Sequence, residues 1–414
     1  MNNNWKRNTV LFLASQTISL FGSSLVQYAI MWHITLTTQS GIMMTIAIIC
    51  GFIPTFFISP FAGVWADRFN RKNLIIISDS FIAISTLVLA ILFLMGYQSI
   101  WLLFAMSAIR ALGAGIQMPA VGAFIPQIVP ADKLTKVNAT NSSIQSFIMI
   151  LSPMLSGALL TVATIEAIFF IDVITAAIAV SVLLLLLKVP AHAKAMDKQT
   201  ISYFDDMREG ITYIKEHAYV KRFFLFCTCF FLLVAPVAFL TPLQVTRSFG
   251  DDVWRLTAIE ISFAFGMMMG GGLMATWGGF KNKVHTMTLS FLITGACTFA
   301  LGIVPYIAPY FWIYLIFMII AGVSMPMFNT PSMVLLQEKV EESYLGRVFG
   351  VLGMISSTMM PLGMLIFGPI ADIVEIEWLL IITGVLLFIQ AFFLIGSKVL
   401  VEAGKPRMIT EQES

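Results

Sequence analysis

Twelve apolar stretches, each long enough to cross a bilayer as a helix, dominate this chain and leave few folds open to it. They fall near 9–36, 41–65, 73–95, 99–125, 138–163 and 166–188, then, after a polar interval, near 221–246, 255–278, 284–305, 309–336, 347–371 and 377–400. In hydrocarbon, backbone polar groups must be satisfied within the spanning segment or within a closed barrel. The runs are too long and continuous for the alternating, roughly ten-residue strands of a barrel, so helices remain. Composition agrees: of 414 residues, 58% are hydrophobic and only 11% are charged. So few charges cannot cover a water-facing surface. A soluble enzyme, a nucleic-acid binder and a disordered chain are therefore excluded. The expected fold class is an all-α membrane protein with twelve transmembrane helices.

The formal net charge of +2 hides a strong asymmetry. With the N-terminus placed in the cytoplasm, inner segments hold 21 of the 24 Lys and Arg residues; outer loops hold Arg247 and Arg255, and Arg110 lies inside a span. Removing the seven from Lys188 to Arg222, which belong to the long middle segment, leaves fourteen against two. The positive-inside bias thus predicts that both termini are cytoplasmic. Lys6 and Arg7 precede the first apolar run as they would in a signal peptide. That run continues past Ile30 without a small-residue cleavage site, so it reads as a retained span. Cys50, Cys227, Cys229 and Cys297 sit inside apolar runs and read as packing residues; no metal site or disulfide framework is expected.

The two groups of six spans repeat each other. Gly115-Ile116-Gln117-Met118-Pro119 in span 4 returns as Gly322-Val323-Ser324-Met325-Pro326 in span 10, an offset of 207, and Ser152-Pro153 is matched by Met360-Pro361 at an offset of 208. Agreeing offsets in corresponding spans point to a duplicated architecture. The predicted organisation is an N-terminal six-helix bundle (1–188), a cytoplasmic linker (189–220), a C-terminal six-helix bundle (221–400) and a tail (401–414). In the linker Ile201, Phe204, Met207, Ile211 and Ile214 recur every three or four residues, which predicts an amphipathic surface helix.

Charges inside such a bundle need a reason to be there. Arg110 lies well within span 4, where a guanidinium is costly and cannot be neutralised by deprotonation. It must face an aqueous cavity or an anion. Asp79 in span 3, Asp172 in span 6 and Glu260 in span 8 are the candidate partners and proton carriers, because a carboxyl group in a low dielectric tends to take up a proton. Glu166, Asp251, Asp252, Asp372, Glu375 and Glu377 read as outer-loop or interface charges. Ser15, Ser19, Ser23 and Gln27 run down one side of span 1, and Asn138, Ser142, Gln145, Ser152 and Ser156 mark span 5, with Pro153 as a possible kink. Such stripes line a cavity or bond helix to helix. Gly113 and Gly115 in span 4, and Gly266 and Gly270 in span 8, are positions for close helix packing.

Between spans 2 and 3 the chain reads Gly63-Val64-Trp65-Ala66-Asp67-Arg68-Phe69-Asn70-Arg71-Lys72. Gly63 would allow close helix approach, and Asp67 is an anion that Arg68, Arg71 and Lys72 surround with cations. This pattern resembles the loop 2–3 signature of the major facilitator superfamily. The resemblance implies the major facilitator fold, two pseudo-symmetric six-helix bundles, and an inner gate in which the carboxylate lies near the N-terminus of span 11. An anion is stabilised at a helix N-terminus, so breaking that contact would bias the two access states. The second half reads Thr276-Trp277-Gly278-Gly279-Phe280-Lys281-Asn282-Lys283, without the Asp, so the gate should be asymmetric. The resemblance also links an Arg in this part of span 4 to proton movement and makes spans 1 and 5 cavity helices.

Asn3-Asn4-Trp5-Lys6-Arg7, Glu260-Ile261-Ser262-Phe263-Ala264-Phe265-Gly266-Met267 and Tyr344-Leu345-Gly346-Arg347-Val348-Phe349 resemble the macrolide-efflux branch of the drug–proton antiporters. Span 5 departs from the antiporter signature, reading Ser152-Pro153-Met154-Leu155-Ser156-Gly157 where that signature has Gly-Pro and paired glycines. The branch implies a bacterial cytoplasmic-membrane transporter, working as a monomer without a cofactor, that exports an amphipathic drug in exchange for protons. No Gly-rich loop ending in Gly-Lys-Ser/Thr occurs, so ATP binding of that type is not expected. Export of an endogenous metabolite such as a siderophore or lipid is the alternative within the class. A transport-inactive membrane sensor is the alternative outside it. An enzyme acting on lipid is disfavoured, because no nucleophile–histidine pair or metal-ligand cluster occurs at membrane depth.

Overall fold

The computed structural model describes residues 5–187, 189, 203–307 and 310–405, apart from the side chains of residues 60, 67, 131, 135, 203–207, 210, 342 and 343. The described residues contain helices and no strand. Before the polar interval come α1 (Trp5–Thr38), α2 (Gly41–Arg68), α3 (Arg71–Leu94), α4 (Ile100–Ile128), α5 (Leu134–Val162) and α6 (Ile165–Ser181), the last continued by a π-helical turn, Val182–Leu186. After it come α7 (Tyr203–Glu216), α8 (Ala218–Phe239), α9 (Thr241–Ser248), α10 (Val253–Trp277), α11 (Lys283–Ile307), α12 (Phe311–Lys339), α13 (Glu342–Ile370), α14 (Ile376–Gly396) and the short α15 (Lys398–Ala403). Among the described residues, twelve segments are long and apolar enough to span a membrane. Their outward faces stay apolar, with Val162, Phe392 and Phe393 all exposed, as a lipid-facing surface requires.

The helices stop where local chemistry dictates. Asn70 caps α3 by accepting a hydrogen bond from the Asn73 backbone N–H. Between α10 and α11 the chain turns through Gly278 (φ 72°) and Gly279 (φ 82°), a left-handed conformation that side chains with a Cβ resist. The window 221–246, expected as one span, lies within the single membrane-length segment Ala218–Ser248, which is interrupted at Leu240 into two helices. Pro242 has no N–H to offer the carbonyl four residues back, so α8 ends and α9 restarts with the Gln244 N–H on the Leu240 carbonyl at 2.8 Å. The last window breaks in the same region of the sequence as its expected end, at Ser397 between α14 and α15.

By internal contacts the chain forms two compact units. The first comprises Met1–Thr38, Ile46–Thr200 and Asp252–Thr257. Part of its core is built on Phe12, Ile75, Phe124, Ile128 and Leu183, with the Phe12 and Phe124 rings 4.8 Å apart. The second comprises Gln39–Thr45, Ile201–Asp251 and Ala258–Ser414. Here Phe230 stacks on Phe291 at 4.5 Å and meets Phe328 at 4.4 Å.

Helix α7 packs on α8 and α13. Tyr213 stacks on Tyr344 at 4.7 Å, and Glu209 pairs with Arg347 at 2.8 Å. Of the apolar face expected here, Ile214 is buried and Ile211 half-buried. Ile201 and the side chains of Phe204 and Met207 lie outside the described residues, as do linker residues 190–202 and tail residues 406–414.

Candidate functional site

The first unit gathers its membrane-embedded charges between α1, α3, α4 and α6. Arg110 on α4 is 9% exposed and Asp172 on α6 is fully buried. The Arg110 Nη1 lies 2.5 Å from Asp172 Oδ2. Three further groups close this pair. The Thr86 hydroxyl on α3 donates to Oδ2 at 2.8 Å, the Ser23 hydroxyl on α1 donates to Oδ1 at 3.0 Å, and Arg110 Nη2 donates to the Ser23 carbonyl at 3.3 Å. Arg110 Nη1 also contacts the Thr86 hydroxyl. Gly22 admits the carboxylate: a Cβ there would lie 2.0 Å from Thr175 Oγ1 and 3.1 Å from the Asp172 Cα. A buried guanidinium–carboxylate pair of this kind survives because each partner satisfies the other.

Further along the same helices lies a second buried carboxylate with a different set of partners. Asp79 on α3 is 1% exposed. Its Oδ1 accepts from the Ser19 hydroxyl at 2.8 Å and from Gln117 Nε2 at 2.5 Å, and its Oδ2 accepts from Gln16 Nε2 at 3.4 Å. Gln117 Nε2 also stands 3.4 Å from Gln16 Oε1. Neither glutamine was among the expected site residues. Neither was set apart by its local sequence, and only the packing of α1 and α4 on α3 turns them into carboxylate ligands.

The other expected residues are dispersed. Glu260 on α10 is half-buried in the second unit and makes no hydrogen bond or ion pair among the described residues. Of the stripe on α1, Ser19 and Ser23 serve the two carboxylates, Ser15 donates to the Phe12 carbonyl, and Gln27 is exposed. On α5, Ser142 and Gln145 are exposed, Ser156 donates to the Leu25 carbonyl at 3.1 Å, and Ser152 is fully buried. Ser19 and Ser152 therefore do not line an open cavity as expected, because close helix packing encloses their hydroxyls. Pro153 lies inside α5, which continues unbroken through it.

Gly113 and Gly115 sit where a Cβ would press on Ile82 of α3 and Ile58 of α2, at 2.6 and 2.2 Å. Gly266 and Gly270 bring α10 against the α12 backbone: a Cβ would lie 2.0 Å from the Ile319 oxygen and 2.4 Å from the Val323 oxygen. At Gly63, in contrast, a Cβ would meet nothing within 4 Å among the described residues.

In the loop motif, Arg71 donates to the Ala66 and Ala123 carbonyls, both at 2.9 Å, and Lys72 donates to the Leu187 carbonyl at 2.7 Å. Cations thus sit near the C-terminal ends of α2 and α4 and after the π-helical turn that follows α6, where the helix dipole favours positive charge. Arg68 is exposed, and the Asp67 side chain lies outside the described residues.

The second unit carries charges that the sequence assigned to the outer surface. Asp372, just after α13, accepts from Ser40 Oγ (2.7 Å) and from the Gly41 and Ile42 N–H groups at the start of α2 (2.7 and 2.9 Å). It also pairs with Arg247 at 2.9 Å. Burial would raise its proton affinity, but the Ile42, Ser40, Gly41 and Arg247 donors outweigh burial and hold its pKa below the ordinary value. Glu377, expected as an outer-loop or interface charge, lies in the first turn of α14, is 9% exposed and accepts from Ser248 at 2.6 Å and Gln244 at 3.4 Å. This unit also contains a cavity of about 550 Å³ lined by Phe231, Phe328, Asn329, Met333, Gln337 and Ser356 among others. Aromatic faces beside amide groups suit an amphipathic guest. Among the described residues no His, Cys, Asp and Glu cluster could hold a metal ion.

Residues 11–364 match the family described as the Major Facilitator Superfamily. The chain belongs to this superfamily. Among curated relatives it is 30% identical to macrolide efflux protein A of Streptococcus pyogenes, over 93% of this chain and 94% of that protein. It is 31% identical to the protein of the same name from Enterococcus faecalis, over 76% of this chain and 96% of the relative. A staphyloferrin A transporter of Staphylococcus aureus is 22% identical, over 94% and 96%. The same superfamily fold appears in the crystal structure of a bacterial homologue of the lysosomal transporter Spinster, with a TM-score of 0.70 at 16% identity, covering 99% of this chain and all of that one. A D-xylose–proton symporter gives 0.69 at 14% identity, over 96% and 99%. The protein is therefore a multi-pass membrane transporter of bacterial superfamily type, related to macrolide-efflux proteins.

Proposed function

We propose that this superfamily member is a secondary active transporter that exports amphipathic drugs, macrolide-like antibiotics foremost, in exchange for protons. The observation that carries the drug assignment is the 30% identity to a macrolide efflux protein across 93% of the chain. Proton exchange is supported by two buried carboxylates within the spans, Asp172 paired with Arg110 and Asp79 bonded to neutral side chains. Transport proceeds by rocker-switch alternating access of a monomer with both termini in the cytoplasm, and the loop from Gly63 to Lys72 acts at the inner gate. Glu260, without a polar partner among the described residues, is a second-unit candidate for coupling.

Reconstitution into proteoliposomes tests this directly. A labelled macrolide is expected to move in response to an imposed pH gradient; movement indifferent to the gradient sinks proton exchange. In cells, the chain should lower macrolide accumulation and an uncoupler should restore it. Siderophore export is the second reading, favoured by the staphyloferrin A transporter among the relatives. It predicts movement of a siderophore and none of a macrolide in the same vesicles.

A further inference from the structure

The two buried carboxylates of the first unit are built for different tasks. Asp172 faces a guanidinium that cannot give up its proton. Protonating Asp172 would leave Arg110, 9% exposed, as an unpaired buried cation. Asp79 has no ion-pair partner among the described residues, and the three groups bonded to it, Ser19, Gln16 and Gln117, are neutral. Gaining a proton there strands no charge.

The partners of Asp79 can also serve both protonation states. Each glutamine amide carries a donor NH₂ and an acceptor oxygen, and a serine hydroxyl can donate or accept. With the carboxylate ionised, Nε2 of each glutamine points at it, as the structure shows. With the carboxyl group protonated, rotating one amide presents Oε1 to the new O–H. The 3.4 Å contact between Gln117 Nε2 and Gln16 Oε1 places the two amides next to each other for that exchange.

The charged groups around Asp79 are few. α1 presents only Gln16 and Ser19 at this level, and the π-helical turn contains no charged residue. α4 brings Arg110, and α6 brings Asp172, with Glu166 in its first turn. On α3 itself, Arg71 and Lys72 are at the start of the helix and bonded to backbone carbonyls. Asp79 precedes Thr86 by seven residues on α3, as Arg110 precedes Gln117 on α4. Seven residues of helix span about 10 Å, so the two sites are coupled neighbours, not one network. A proton on Asp79 removes an anion that repels Asp172.

We propose that Asp79 is the exchangeable proton site of this transporter, with Gln16 and Gln117 as its switching ligands, and that Arg110–Asp172 stays paired as the fixed charge beside it. This rests on the proton-exchange reading above.

The test uses the full chain in proteoliposomes with a radiolabelled macrolide. Wild type is read first, and for one-for-one exchange its accumulation should rise about tenfold per imposed pH unit. A wild type that ignores the gradient defeats proton exchange itself, and this inference with it. With wild type coupled, Asp79→Asn should lose gradient-driven accumulation while keeping gradient-free counterflow of labelled against unlabelled macrolide. Retained gradient-driven accumulation in that variant overturns the proposal and leaves proton exchange standing. Should Asp79→Asn fail to fold, Gln117→Leu decides. Losing a donor to the ionised form should move the midpoint of the transport pH profile upward, and an unmoved midpoint overturns the proposal.

Discussion

Gln117 and Ser324 occupy the same place in the repeated motif, 207 residues apart, yet their surroundings differ in charge. In the first unit Gln117 on α4 donates to the Asp79 carboxylate on α3 at 2.5 Å. In the second, Ser324 on α12 shares a 2.8 Å hydrogen bond with Thr294 on α11, and its carbonyl accepts from Ser290 at 2.7 Å. All three hydroxyl residues are fully buried. Helices α11, α12 and α14 carry no Asp, Glu, Lys or Arg between their terminal turns. The duplicated helix pairs have kept the habit of a polar tie at this depth but not its chemistry. Hydroxyls bond two helices whatever the pH, whereas a carboxylate changes with it. The difference places a titratable group at this position in the first unit and only hydroxyls at its counterpart in the second.

That contrast can be broken most forcefully at Arg110. Arg110→Ala leaves a fully buried Asp172 without its cation, and stability should fall by about 3–5 kcal/mol. Thermal unfolding of the detergent-purified protein, read beside efflux, checks it. Full expression with unchanged efflux would remove Arg110 from both fold and mechanism. Next in size is Gly266→Ala, which sets a Cβ 2.0 Å from the Ile319 carbonyl oxygen. α10 and α12 must then separate, at a cost of roughly 1–3 kcal/mol, seen as a lowered unfolding temperature.

Asp372 sharpens the comparison outside the spans. Its pKa is lowered in the folded protein. Its contribution is therefore present above its unfolded pKa and is lost as pH falls through the folded value. Asp372→Asn should flatten the loss of thermal stability at acid pH while leaving the neutral-to-alkaline slope unchanged. The smallest effect is expected for Ser324→Ala, about 1 kcal/mol or less. The pH dependence of transport should stay in place in that variant. A displaced profile would show that the second unit takes part in proton coupling.

Much of this was legible before any packing was known. A charge in an apolar run is conspicuous, so Arg110, Asp79 and Asp172 stood out, as did the glycines of α4 and α10. Gln16 and Gln117 did not stand out, because a single glutamine in a helix says nothing about which neighbour it meets. Glu377 read as an outer-loop or interface charge by its position near a span end, which did not reveal that Ser248 and Gln244 would bond it. Gly63 read as a packing glycine from its motif, and the space beside it is open. The break at Leu240 was masked by continuous hydropathy, although Pro242 marks it in retrospect.

The sequence alone determined the spanning segments, their number and the repeat between the two halves. Each follows from a local rule: in lipid a backbone satisfies itself within a single segment, and hydropathy along the chain records where. Tertiary structure alone decided which carboxylate meets a cation and which meets amides. Asp172 lies 62 residues from Arg110, and Asp79 lies 63 from Gln16 and 38 from Gln117. Only the packing of α1, α3, α4 and α6 brings those side chains within hydrogen-bond reach, and that reach separates a carboxylate paired with a guanidinium from one held by neutral amides and a hydroxyl.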